Sequence, residues 1–225
     1  MMTRVEFEEQ LESLRTNLLR MGSEANEMLG HAMESLASQD GQAAQAVIAE
    51  DDNIDALDLA IESDCMKLLA LQNPMARDLR LVGASMKIII DLERIGDHAV
   101  DIAKVARKLS KEYLPKPLVD LPKMGAAVRV MLRQALEAFV KHDLALVEEV
   151  IKADDQVDEM FHSIRDDLLT LVKTAPEHTY RATYLLFVAH YLERIADHTV
   201  NIAERVHYVE TGELSHLIKS PDSDE

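Results

Sequence analysis

Four pairs of carboxylates recur along the chain at a spacing of four residues: Asp51/Asp55, Glu93/Asp97, Asp154/Asp158 and Glu193/Asp197. At about 3.6 residues per turn, each pair lies on one face of a helix. Their distances from the chain breaks carry more information. Pro74 stands 19 residues after Asp55 and 19 before Glu93, and 23 from both Asp51 and Asp97. In the second half, Asp158/Glu193 and Asp154/Asp197 share a midpoint at 175.5, between Ala175 and Pro176. In an antiparallel helical hairpin, residues equidistant from the turn sit side by side. Each hairpin therefore brings four acids to one level, roughly 28 Å from its turn at ~1.5 Å per residue. Carboxylates gathered in this way suit hard or borderline metal ions, divalent or trivalent: Mg, Mn or Fe. Zn becomes suitable if a histidine joins them.

One acid pair alone is ordinarily a solvated helix face, costing about 0.2–0.5 kcal/mol in repulsion. Four acids at one level are different, because two like charges 4 Å apart cost about 4 kcal/mol at an effective dielectric of 20. Such a group needs cations or protons. Asp101 lies one further turn along the face of Glu93 and Asp97 and is a fifth candidate ligand in the first half. His98 and His198 directly follow the aspartates, so they point about 100° around the helix, toward interhelical hydrogen bonds. Arg94 and Arg194 follow the glutamates and are expected to pair with the acids at the rim.

These residues belong to a repeat. Residues 91–103 read DLERIGDHAVDIA and residues 191–203 read YLERIADHTVNIA, identical at nine of thirteen positions at an offset of one hundred. Around them, apolar residues at three- and four-residue steps predict long helices. The first spans about 3–37, ending at Ser38-Gln39-Asp40-Gly41; the second spans 41–72; the third runs from Asn73-Pro74 to about 109. Pro115, Pro117 and Pro122 mark a linker over 111–122. Three more helices follow, over about 121–140, from a cap at His142-Asp143 to 173, and over 177–209, with Thr211-Gly212 as the stop. The expected fold is all-α, six long helices in two three-helix bundles (3–110 and 123–212) with a tail over 213–225.

Composition agrees with helices: seven glycines, six prolines and no tryptophan in 225 residues, of which 48% are apolar. The net charge of −17 and the lack of a Lys/Arg cluster argue against a nucleic-acid partner. One cysteine excludes an internal disulfide framework. No apolar run is long enough to insert in a membrane and no signal peptide opens the chain, so the expected compartment is the cytoplasm. A ferritin-like di-iron centre would need Glu-x-x-His on two helices. Only Glu159-Met-Phe-His162 fits, without a matched partner.

With the repeat and its acids, the chain resembles the PhoU family of phosphate-signalling proteins. Asp91-Leu-Glu-Arg-Ile-Gly-Asp97, Leu192-Glu-Arg-Ile-Ala-Asp197, Asp78-Leu-Arg80 and the acids at 51/55 and 154/158 carry the match, over residues 3–212. The resemblance implies pseudo-twofold symmetry between the bundles and metal clusters at the paired motifs. It also implies a non-enzymatic role, repression of the phosphate-starvation response. The implied partners are the ATPase of the phosphate ABC transporter and the sensor histidine kinase of the phosphate two-component system; a homodimer is the expected assembly. A metal-dependent hydrolase or oxidase and a metal-buffering protein are the alternatives. One departure stands out: Asn201 replaces the acid at the position matching Asp101, which predicts a second site poorer by one carboxylate.

Overall fold

The computed structural model describes residues 4–72, 74–111 and 120–214. They form six α-helices and no strand: α1 (Arg4–Ser38), α2 (Gly41–Gln72), α3 (Arg77–Leu109), α4 (Asp120–Lys141), α5 (Leu144–Thr174) and α6 (Thr179–Thr211). The helices α1, α2 and α3 pack on one another, as do α4, α5 and α6. The two triplets meet along α3–α6 and along α1–α4, so each helix has its counterpart three positions on. One continuous apolar core runs through both triplets, lined by residues such as Leu18, Ile88 and Leu92 in the first and Leu132, Leu185 and Ile195 in the second. No helix of the described residues is long and apolar enough to cross a membrane.

The two inter-helix corners before α2 and α5 are built alike. Gln39 (φ 57°) and His142 (φ 58°) take the left-handed backbone that ends a helix. The next residue is an aspartate in each case. Asp40 Oδ1 accepts from the amides of Gln42 (2.8 Å) and Ala43 (3.0 Å), and Asp143 Oδ1 from that of Ala145 (2.9 Å). Each carboxylate thus satisfies amide donors that a new helix leaves open.

Three boundaries differ from the sequence expectation. The third helix starts at Arg77 rather than at Pro74, because Ala76 (φ 49°) has a backbone no right-handed helix can continue through. Residues Pro176–His178 form a turn of 3-10 helix, so α6 starts at Thr179 rather than near 177. The fourth helix begins at Asp120, which places Pro122 in its first turn and outside the linker. Proline lacks an amide donor, and the first turn is where none is required. Pro115 and Pro117, and the tail from 215 onward, lie outside the described residues.

Small residues set the α1–α4 approach. A β-carbon on Gly22 would lie 2.6 Å from Leu136 Cδ2, and one on Gly125 3.0 Å from Met33 Cγ. Beside them Arg129 Nε donates to the Asn26 carbonyl (3.2 Å) and Asn26 Nδ2 returns a bond to the Arg129 carbonyl (3.4 Å).

Candidate metal centre

The hairpins α2–α3 and α5–α6 place acids of facing helices within electrostatic reach of one another. Burial raises the Asp51 carboxyl above the ordinary carboxylate range, and the charges of Asp55 and, across the hairpin, Asp97 add to it. Burial likewise raises Glu93, helped by Asp97 on its own helix and by Asp58 and Asp55 on α2, and opposed by Arg94. The second hairpin is drier. Asp154 is only 6% exposed, and its Oδ1 is buried without a hydrogen-bond partner. Burial, followed by the charges of Asp158, Asp197, Asp155 and Glu193, pushes its carboxyl to about 7. Asp158, Glu193 and Asp197 are raised too, each chiefly by burial.

An arginine stands at each mouth. Arg94 lies 3.4 Å from Glu93 and 3.0 Å from Asp97; Arg194 lies 3.0 Å from both Glu193 and Asp197. The rim pairing expected of these arginines is therefore present. Asp101 pairs with Lys104 Nζ at 2.9 Å, and that lysine also feels the charges of Asp51 and Asp97; the Asp101 charge acts on His98 and Tyr191 too. Among the described residues, no three His, Cys, Asp or Glu side chains are drawn closely enough together to hold an ion. The acids instead share a level and repel one another, with the guanidinium as their counter-charge. The chemistry of the donors suits a cation, though their spacing here does not form a ligand set. The carboxylates of each hairpin raise one another, and in the second Asp154 Oδ1 is buried without a hydrogen-bond partner; each condition is relieved by positive charge.

The histidines after the motif line the seam between the two halves. His198 Nδ1 lies 2.9 Å from Asp91 Oδ1, and Asn201 Nδ2 donates to the same oxygen at 3.0 Å. The His98 ring stacks on Tyr191 (5.6 Å between centroids, 25° between planes) with its Nδ1 buried and unpartnered.

Three residues near the acids were not among the expected ligands. Asp58 adds charge beside Glu93. In the second half, His190 Nδ1 lies 3.3 Å from Glu193 Oε2, and His162 counters the upward push on Asp158. The turn arithmetic that located the acids would have found both histidines, since 162 and 190 share a midpoint of 176, half a residue from that of the acids.

A family model for the PhoU domain matches this chain twice, over residues 18–106 and 121–206, one copy per triplet of helices. The chain belongs to the PhoU family. It is 41% identical over 212 residues to the phosphate-specific transport system accessory protein PhoU homolog of Clostridium acetobutylicum, covering 94% of this chain and 97% of that one. It is 39% identical to the homolog of the same name from Caulobacter vibrioides, covering 92% and 90%. Among solved structures, PhoU from Pseudomonas aeruginosa superposes with a TM-score of 0.89 at 35% identity, over 92% of this chain and all of that one. The phosphate transport system regulatory protein PhoU from Streptococcus pneumoniae gives 0.87 at 35% identity, over 93% and 99%. The two PhoU copies coincide with the two triplets, and the acidic motifs of α3 and α6 fall at corresponding places in each.

Proposed function

We propose that this chain is a non-enzymatic regulator of phosphate uptake, acting by contact with other proteins. The observation that carries the reading is the doubled PhoU match together with whole-chain identity to accessory proteins of the phosphate-specific transport system. Its partners are the transporter's ATPase on the cytoplasmic side and the sensor kinase of the phosphate response, which it holds in the repressing state when phosphate is plentiful. It works in the cytoplasm, as a homodimer.

Metal ions belong to the reading. Asp51, Asp55, Glu93 and Asp97 would hold them in the first half, and Asp154, Asp158, Glu193 and Asp197 in the second, with Asp101 at the edge of the first group. A bound cation would supply the charge that Arg94 and Arg194 now supply, freeing each arginine to face outward. Supporting this is the cost of like charges in a half-buried group.

The test is genetic and biochemical. In a strain lacking the gene, phosphatase activity stays high in phosphate-rich medium and the cloned gene restores repression. The purified chain binds the ATPase and the kinase, and binding weakens as salt rises, because an acidic surface meets basic patches. Normal repression in the deletion strain, with no second copy of the gene present, would overturn the reading.

A further inference from the structure

An apolar stripe runs along the outer side of the α2–α3 hairpin. On α2, Leu59 (65% exposed) and Met66 (54%) share a face, with Glu62 between them. On α3, Leu79 (47%), Gly83 and Ile90 (50%) recur at steps of four and seven, again one face. Leu59 and Ile90 stand 15 and 16 residues from Pro74, and Met66 and Gly83 stand 8 and 9, so the two rows run side by side. A β-carbon on Gly83 would meet nothing within 4 Å, which leaves a dent in the stripe. Although α1 packs on α2 and α3, and α6 on α3, these positions stay open to solvent. The second hairpin lacks the stripe. Asp51 to Asp154 is 103 positions and Glu93 to Glu193 is 100, and at those offsets stand His162, Leu169, Thr179, Thr183 and His190, of which only Leu169 is apolar. The shared fold therefore does not require an apolar face here. The stripe is also polarised. Asp55, Asp58 and Glu62 lie one to four positions from Leu59, and no cation of the described residues forms an ion pair with them. Burial and the charges of Glu62 and Asp55 raise the Asp58 carboxyl, with no positive group opposing. At the other end Arg77 and Arg80, beside Leu79, are held by Glu210 and the Val209 carbonyl of α6.

We infer that this stripe docks one amphipathic helix of a partner protein, its apolar ridge lying on Leu59, Met66, Leu79 and Ile90 and its Lys or Arg residues, gathered at one end, meeting Asp55, Asp58 and Glu62. The inference deepens the regulatory reading above and rests on it. From Leu79 to Ile90 the stripe is about 16 Å long, which matches about three turns of a bound helix. A helix presented to such a face anchors through apolar residues at i, i+3 or i+4, and i+7, and a side chain of that ridge fits the dent at Gly83. A contiguous exposed apolar face of this kind marks an interaction surface. The acids decide the occupant: a chain of net charge −17 repels its own copy and attracts a basic segment.

The experiment titrates the full chain with the purified transporter ATPase and with the purified sensor kinase, at low and high salt. Leu59→His/Leu79→Thr/Gly83→Thr/Ile90→His, which installs the second hairpin's residues, lowers the affinity for one or both by about tenfold or more. The reciprocal His162→Leu/His190→Ile leaves binding unchanged. Glu62→Lys weakens binding and flattens its dependence on salt. All these positions are exposed, and circular dichroism with thermal melting checks that each variant keeps the fold. A photo-crosslinking residue in place of Ile90 then identifies the bound segment by mass spectrometry: a helix with an apolar ridge and a basic end is expected, and an acidic or wholly polar segment overturns the inference. Partner affinity indifferent to the fourfold change overturns this inference alone, and more so if the same change abolishes self-association in sedimentation or binding to anionic-lipid vesicles, which would give the stripe to a second copy or to a membrane. If neither the ATPase nor the kinase binds the unaltered chain, this inference and the regulatory reading both fall.

Discussion

His98 and His198, one hundred residues apart in sequence, lie with ring centroids 5.8 Å apart at the α3–α6 seam. Equivalent residues that touch must lie beside the axis relating the two halves. The contacts on either side of it correspond: His198 and Asn201 of α6 reach Asp91 of α3, while His98 and Asp101 of α3 face Tyr191 of α6. Each side sets one acid of α3 against side chains of α6.

Asp91 accepts on one oxygen from two groups of the other half, so removing it leaves two partners stranded. Asp91→Ala is expected to destabilise the chain by about 1–3 kcal/mol, seen as a lower denaturant midpoint. His198→Ala and Asp91→Ala together should cost less than the sum of the two changes, because the contact they share can be lost only once.

Glycine positions give a paired expectation. Gly83 has open space where a β-carbon would go, and it lies inside α3, in the second turn. Gly83→Ala should raise stability by about 0.5–1 kcal/mol by restoring helix propensity. Gly22→Ala puts its methyl within 2.6 Å of Leu136, where α1 crosses α4. The overpacking should outweigh the same propensity gain, with a net loss of about 1 kcal/mol. Equal effects of the two changes in a denaturant series would show that the α1–α4 approach is not set by Gly22.

Stability of the metal-free chain should depend on pH through Asp154. Its carboxyl lies at about 7 when folded, against 3.8 in the ordinary case, burial being the main cause. Between those values the folded state keeps a proton that the unfolded chain has shed, so stability falls as pH rises and levels off above about 7. The melting temperature should be higher near about pH 5 than near about pH 8. Asp154→Asn keeps the shape without the charge and should remove most of the slope. A slope unchanged in that variant would move the effect to other acids.

The turn arithmetic was legible because helix rise is constant and the breaks at Pro74 and Ala175-Pro176 are sharp, so the levels of Asp51/Asp97 and Asp154/Asp197 could be read by counting. Which way a side chain swings about its helix could not. That is why the Lys104 that pairs with Asp101 at 2.9 Å, and also feels Asp51 and Asp97, was not expected among the acids. It is also why the partner of His198, an aspartate 107 positions away, left no trace in local spacing. Pro122 was misplaced for another reason: proline forbids the interior of a helix but not its first turn.

Asn201 is the sharpest case. As the repeat's replacement for Asp101, it reads as a ligand lost from the second site, which would make Asn201→Asp a repair. In the folded chain its amide donates to Asp91 Oδ1 at 3.0 Å. An aspartate there would set carboxylate against carboxylate across the seam, and two like charges near 4 Å repel by about 4 kcal/mol at an effective dielectric of 20, partly relieved by relaxation and solvent. Asn201→Asp should therefore lower stability by about 1–3 kcal/mol and leave metal capacity where it was. Adding Asp91→Asn, which restores an acid–amide pair in reversed order, should recover much of the loss. Calorimetric melting of the two single variants and the double variant, with metal content measured on each, tests both halves of the statement. A fully stable Asn201→Asp that binds more metal would return this position to the metal site.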